Sequence, residues 1–269
     1  MTGQCSLLRE LSQDTWGRIQ FSRSRYGLKI YEVTITQNLI YEINRNSVNN
    51  DISIFEAIDE KTNGNDIELF VQTLGGFLFF PIQSKILYKS QDYPKMEHGN
   101  QIHDLLNYAS SKGGIPLYLL YNFSPGFTFN NSINGIPCST SDFGCTLIEA
   151  SYLLRNYAFQ RIDRNGNNRW NIPTFLDLHP NHAIPWFIPF CIDQSQPDKK
   201  KVFKDVFHTI SEERLSDIKT YSDSELEEDR SWVLIDTTKK KYEDRIIGGF
   251  QHEKGFAPKF RIVIKNEDK

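Results

Sequence analysis

The sequence predicts an α/β protein, with a mixed sheet flanked by helices. Three observations carry this. Short β-patterned runs follow one another at Ser53–Ile58, Ile67–Thr73 and Phe77–Leu87, and a continuous apolar run, Ile115–Asn122 (IPLYLLYN), has the character of a buried central strand. A helical stretch from about His98 to Lys112 separates the last two, closed by Gly113-Gly114 as glycines commonly close a helix. Three consecutive strands suit an antiparallel meander, and a helix between two strands suits a crossover that makes them parallel.

The remaining elements follow in order. Leu7–Arg25 reads as a helix, with Trp16, Ile19 and Phe21 at apolar positions and Gly27 as its interruption. A second helix spans Thr34–Asn46, where Ile35, Leu39, Ile40 and Ile43 keep a 3.6-residue period. Asn44–Asp51 is a polar loop, DEKTNGND is a turn, and Leu74-Gly75-Gly76 permits a tight reversal. Beyond Asn122 the pattern is less regular. Ser124–Phe143 is loop-like and Thr146–Phe159 helical. Ile184–Ile192 holds two prolines, which suits an edge strand or a buried extended segment. Lys199–Lys219 suits one or two charged helices, Tyr221–Arg230 is acidic, and Trp232–Asp236 and Lys259–Lys265 read as final strands. Residues 1–122 therefore carry the N-terminal helices and a core, and 123–269 an elaboration of the same domain.

Composition bounds the function. With 269 residues, 39% hydrophobic and 13% aromatic, the chain can bury a large core. A net charge of -3 argues against a protein that coats nucleic acid, though an enzyme with a local basic groove stays open. No apolar run approaches the roughly 20 residues that span a bilayer, and MTGQCSLLRELSQDTW does not read as a signal peptide. Four scattered cysteines suit a reduced, cytoplasmic protein and give no zinc pattern. There is no Gly-x-x-x-x-Gly-Lys and no Gly-x-Ser-x-Gly, so neither ATP use nor serine hydrolysis is expected.

The segment Asn63–Leu87 carries the chemistry. On a strand, Gln83 and Lys85 project to one face, and Asp66 and Glu68 share a face of the strand before it. If the two strands pair, an acid, an amide and an amine converge. Phosphodiester hydrolysis needs such a set: oxygen donors for Mg²⁺, which activates water and neutralises charge, and a lysine that orients the water or steadies the extra negative charge.

Gly64-x-Asp66 followed by Gln83-x-Lys85, within this helix–strand–strand–strand–helix–strand order, resembles the PD-(D/E)xK nuclease superfamily, which has the restriction-endonuclease-like fold. The Gln-x-Lys variant is similar to that of Mrr-type enzymes. The resemblance covers about Tyr31 to Asn122. Tyr31-Glu32-x-x-Ile35-Thr36 also resembles a helix motif of bacterial restriction-endonuclease-like proteins, and Gln101 with Leu105, Ala109 and Pro116–Asn122 resembles the same group. The resemblance implies that Asp66, Gln83 and Glu32 bind Mg²⁺ or Mn²⁺, that Lys85 assists catalysis, and that Gln101 contacts the site or the nucleic acid. It further implies a DNA substrate and a role in bacterial restriction or antiviral defence. A two-strand cut would favour a homodimer. The second half is where a protein or small-molecule activator would act. The chain departs from the pattern in lacking the proline before Asp66 and in carrying Gln83 where Asp or Glu is commoner. An amide binds Mg²⁺ more weakly, so Glu32 or Glu68 should compensate.

Plainer readings compete. Glu32 could be favourable charge at a helix N-terminus, with Glu42 as a rival ligand or a solvated residue and Glu56 peripheral. His179-Pro-Asn-His182 suits a loop pair better than a metal site, and Asp163-x-Asn165-x-Asn167 suits a turn better than a calcium loop. Lys199–Lys201 and Lys239–Lys241 are solvated surface or a phosphate-binding face, and the aromatics of Trp170–Phe190 are core or a stacking platform. The competing function is a nuclease-fold module that binds nucleic acid or a protein without cutting.

Overall fold

The computed structural model describes residues 3–24, 28–47, 51–57, 66–73, 75–97, 99–191, 207, 218–229, 231–235 and 258–265. Its helices are α1 (Gly3–Ser24), α2 (Glu32–Asn46), α3 (Gln101–Lys112), α4 (Ala150–Asn156), α5 (Phe175–Leu178), α6 (Ile188–Cys191) and α7 (Asp223–Glu227). The strands are β1 (Ile52–Ala57), β2 (Asp66–Thr73), β3 (Gly76–Ile86), β4 (Leu117–Tyr121), β5 (Asn130–Ile133), β6 (Ile136–Ser139), β7 (Cys145–Glu149), β8 (Arg161–Ile162), β9 (Asn168–Arg169), β10 (Ile184–Pro185), β11 (Thr220–Tyr221), β12 (Trp232–Leu234) and β13 (Pro258–Ile264). The main sheet runs β10-β7-β4-β3-β2-β13-β1-β12, with β11 paired to the start of β3. This is the mixed α/β architecture that the sequence predicts.

The heart of the sheet follows the expected order. β2 and β3 are antiparallel, Ile67 opposite Ile82 and Phe70 opposite Phe79. β3 and β4 are parallel, Gln83 beside Tyr118, as the α3 crossover requires. The apolar stripe of α2 packs Ile35, Leu39, Ile40 and Ile43 against Leu69, Val71, Phe80 and Ile82 on one face. On the other face, α3 sets Ile102 and Leu105 against Tyr118 and Leu120.

Four expectations are corrected. β1 does not pair with β2: β13 lies between them, parallel to β2 and antiparallel to β1. Burial explains the insertion. Five consecutive β13 residues, Phe260–Ile264, are buried, whereas β1 is buried only at Ile52 and Ile54. A strand buried on both faces belongs inside a sheet. The C-terminal half thus completes the core rather than decorating it. Thr146–Phe159 is not one helix: its start is β7, every residue of which is buried and which pairs with β4 and β10, and α4 begins only at Ala150. Within the supposed loop, Ser124–Phe143, β5 and β6 form a hairpin turned by Asn134 and Gly135, both at positive φ. Finally, Cys5 and Cys191 are joined in a disulfide, not left as reduced thiols. Their separation of 186 residues gives no local signal, and the packing of α1 on α6 brings them together. Cys138 and Cys145 are free and buried.

Of the proline-containing segment, only Ile184–Pro185 is an edge strand, β10, which ends the sheet; Ile188–Cys191, with Pro189, is helix α6 and not extended. Most of Lys199–Lys219, and both lysine runs, lie outside the described residues. Among the described residues, no helix is long and apolar enough to cross a membrane.

Candidate active site

Strand alternation sorts β3 between the two layers. Leu78, Phe80 and Ile82 join the cluster beneath α1 and α2, and Phe79 joins that beneath α3. Gln83 and Lys85 continue the α3 side. Both are buried, at 6% and 4% exposure. Lys85 Nζ donates a 2.8 Å hydrogen bond to Oε1 of Gln101, the first residue of α3. Three of the five sequence-predicted site residues therefore converge. Withdrawing an ammonium group from water is costly, which sets Lys85 apart on a strand that elsewhere buries phenylalanines.

Asp66 is the first residue of β2. Continuing the Ile67–Ile82 register by one residue sets its backbone opposite Gln83. Its side chain lies outside the described residues.

Glu32 is the first residue of α2, which packs on the other face of the sheet. It does not join the Lys85–Gln101 bond, but its helix is pinned to the same stretch of β3. Thr36 Oγ1 donates to the Glu32 carbonyl at 3.1 Å and shares a 2.8 Å bond with the Tyr121 hydroxyl. That hydroxyl lies 3.2 Å from Oγ of Ser84, the residue between Gln83 and Lys85. Burial pushes the Tyr121 phenol well above its ordinary pKa; the Cys145 thiol and, more weakly, the Glu32 carboxylate add to the effect, against the Ser84 and Thr36 hydrogen bonds. Sequence reasoning missed this Thr36–Tyr121–Ser84 connection. It also missed Arg23, which donates to the Phe123 carbonyl at 2.9 Å and to the Leu87 carbonyl, binding the ends of β3 and β4 beside the site. Only a basic residue in the last turn of a helix hinted at it.

The other acids are engaged elsewhere. Glu68 is 3% exposed. It accepts from the Tyr108 hydroxyl and, at 2.8 Å, from Arg261 Nε, and Arg261 also bonds Asp229 at 2.8 Å. The Arg261 guanidinium lies 4.3 Å from the Trp232 ring centroid. Glu68 is thus committed to an ion-pair cluster. Glu56 sits on β1, beyond β13, facing Lys259 at 3.7 Å. Glu42 is partly buried and bonds Asn46.

The histidine pair does not form a metal site. His179 is buried between the Phe175 carbonyl, 2.9 Å, and Thr146 Oγ1, 2.8 Å, and burial drives its pKa down to about 3. His182 stacks on Tyr152. Asp163 accepts 2.9 Å bonds from the backbone N–H groups of Asn165 and Asn167, which makes this segment a turn. Among the described residues, no three His, Cys, Asp or Glu side chains gather as a metal set. Of the predicted ligands, buried Gln83 lies on the α3 side of the sheet and Glu32 begins α2 on the other, so the described residues do not bring these two together. Mg²⁺ and Mn²⁺ take oxygen ligands of both kinds, amide and carboxylate.

Residues 4–268 match a family of unknown function, DUF6615. No curated protein and no solved structure matches the chain.

Proposed function

For this chain, which belongs to the DUF6615 family, we propose a metal-dependent nuclease that hydrolyses phosphodiester bonds, of DNA in the first instance. The observation that carries the reading is the buried Lys85 ammonium, held by Gln101 two residues along β3 from buried Gln83, where the register brings in Asp66. Asp66, Gln83 and Glu32 would hold Mg²⁺ or Mn²⁺, which when bound lowers the pKa of water and neutralises charge on the scissile phosphate. The protein's own groups do the rest. Gln101 fixes the direction of the Lys85 ammonium, which donates to a phosphoryl oxygen as negative charge builds there. The packing of α3 over Tyr118 and Leu120 keeps bulk water from that side of the strand, so each charge contact is stronger than in water. The resemblance to restriction-type nucleases extends the reading to antiviral defence in the cytoplasm, with a homodimer for two-strand cuts and an activator acting through the second half.

Incubating the purified protein with plasmid DNA and Mg²⁺ or Mn²⁺ tests the reading. Cutting that is abolished by EDTA and by Asp66→Ala supports it; full activity in Asp66→Ala rejects the site.

A second reading rests on Gln83, whose neutral amide is a weaker ligand than a carboxylate. Here the same face binds nucleic acid without cutting it. Retained binding, with no cleavage under any divalent metal, selects this reading.

A further inference from the structure

We propose that the hairpin of β8 and β9 is a wing that grips the phosphate backbone of duplex DNA beside the candidate active site, an inference that rests on the nuclease reading for its placement. From Arg155 to Arg169 the chain carries four arginines (Arg155, Arg161, Arg164, Arg169) against one acid, Asp163, in a protein whose net charge is -3. All four arginines are exposed. The only acid in the stretch is spent on the turn, accepting from Asn165, Asn167 and, at 3.1 Å, from Arg169. Among the described residues, Arg155, Arg161 and Arg164 have no carboxylate partner. Two guanidinium groups left uncancelled on the hairpin, Arg161 and Arg164, with Arg155 at the end of α4 before it, suit planar, bidentate contact with phosphate oxygens.

The wing's form and position support the same partner. It buries little of itself: Ile162 is 70% exposed and Phe159 44%. Its base is fixed by buried Trp170 and by the bond from the Asn171 N–H to the Tyr157 carbonyl, 2.8 Å. Two-residue strands gain little stability from their own pairing, so this projection is better explained by what it meets than by what it stabilises. Asn165 at the tip and Asn168 on β9 carry exposed amides able to reach base edges once the arginines have set the register. Phe159 stacks on His103 of α3 at 5.6 Å, 18° from parallel. Since α3 begins with Gln101, the partner of Lys85, a strand held along the wing would run toward Lys85.

The test is binding of a fluorescent 20-base-pair duplex in EDTA, where no cleavage can occur. Arg161→Ala/Arg164→Ala, with its fold checked by circular dichroism, should bind about tenfold more weakly, with a log–log salt slope shallower by about 2. Arg18→Ala, at an exposed position of α1, should bind as wild type. An unchanged affinity and slope in the double variant would overturn the wing. So would wild-type protein that binds phosphatidylglycerol vesicles but not the duplex. Lys85→Ala separates the two proposals, since it should lose cleavage and keep binding. Wing-dependent binding without cleavage by wild type removes the nuclease and keeps the wing; cleavage with the double variant at full strength does the reverse.

Discussion

At its first residue, α3 accepts a hydrogen bond from the buried ammonium of Lys85 through Gln101. Two turns later, the same helix donates from Tyr108 to Glu68, which also holds Arg261. Both clusters bury a cation against one sheet face, and they treat it differently. Arg261 meets two carboxylates, Glu68 and Asp229, and an aromatic ring. Its charge is matched and its geometry locked. Lys85, on the strand that carries Gln83, donates instead to the neutral amide of Gln101. The first cluster ties β13 to β2 and α3, and the second lies within the proposed site.

If this contrast is right, the two cations respond oppositely to removal. Lys85→Met should cut metal-dependent cleavage by about 10²–10³-fold, with unfolding in urea showing that the fold survives. Arg261→Met should destabilise by about 3–5 kcal/mol, since Glu68 is left buried without its cation. Comparable stability losses in both variants would erase the distinction.

Acid sharpens the contrast from a third position. His179 is held neutral, its pKa down at about 3 against an unfolded value near 6.5. The unfolded chain therefore binds the extra proton between these values. The His179 contribution is complete above pH 6.5 and is lost as pH falls toward 3, with a slope of up to about 1.4 kcal/mol per pH unit. Asp142 adds a second loss below its ordinary range: burial alone would raise its pKa, but bonds from Arg9, the Ser139 N–H and Gln13 hold it down. Urea melts from pH 7 to 4 should show the decline, and His179→Gln should flatten it. A smaller effect separates the two α2 acids. Glu32→Gln should lower cleavage by about tenfold, and Glu42→Gln, at a residue bonded to Asn46, should leave it unchanged. The exposed Arg18–Asp14 pair sets the floor, worth less than about 0.5 kcal/mol when broken by Asp14→Asn.

Much of the β2–β3–α3–β4 unit was legible because its information is local. Alternation fixed the shared face of Gln83 and Lys85, and Gly113 marked the helix end, where the backbone is left-handed at φ 68. The bond between Lys85 and Gln101 was within reach because both belong to consecutive elements. What escaped was non-local. No pattern in Lys259–Lys265 says that this strand enters between β1 and β2. No spacing joins Cys5 to Cys191, and nothing in Ile-Glu-Leu says that Glu68 will be claimed by Arg261 from the far end of the chain. The Asn134-Gly135 turn is a different kind of miss: a local hairpin signal submerged in a stretch rich in loop residues. The β7 strand was missed because a short buried apolar run fits a helix start as well as a strand.

Calorimetric titration with Mn²⁺ reads the candidate site without needing a substrate or an activator. The account predicts that wild-type protein binds Mn²⁺, that Asp66→Ala abolishes this binding, and that Gln83→Glu tightens it by supplying a carboxylate. Wild-type protein that takes up no Mn²⁺, or Asp66→Ala that binds it undiminished, would contradict a metal-dependent site at the Gln101 end of α3.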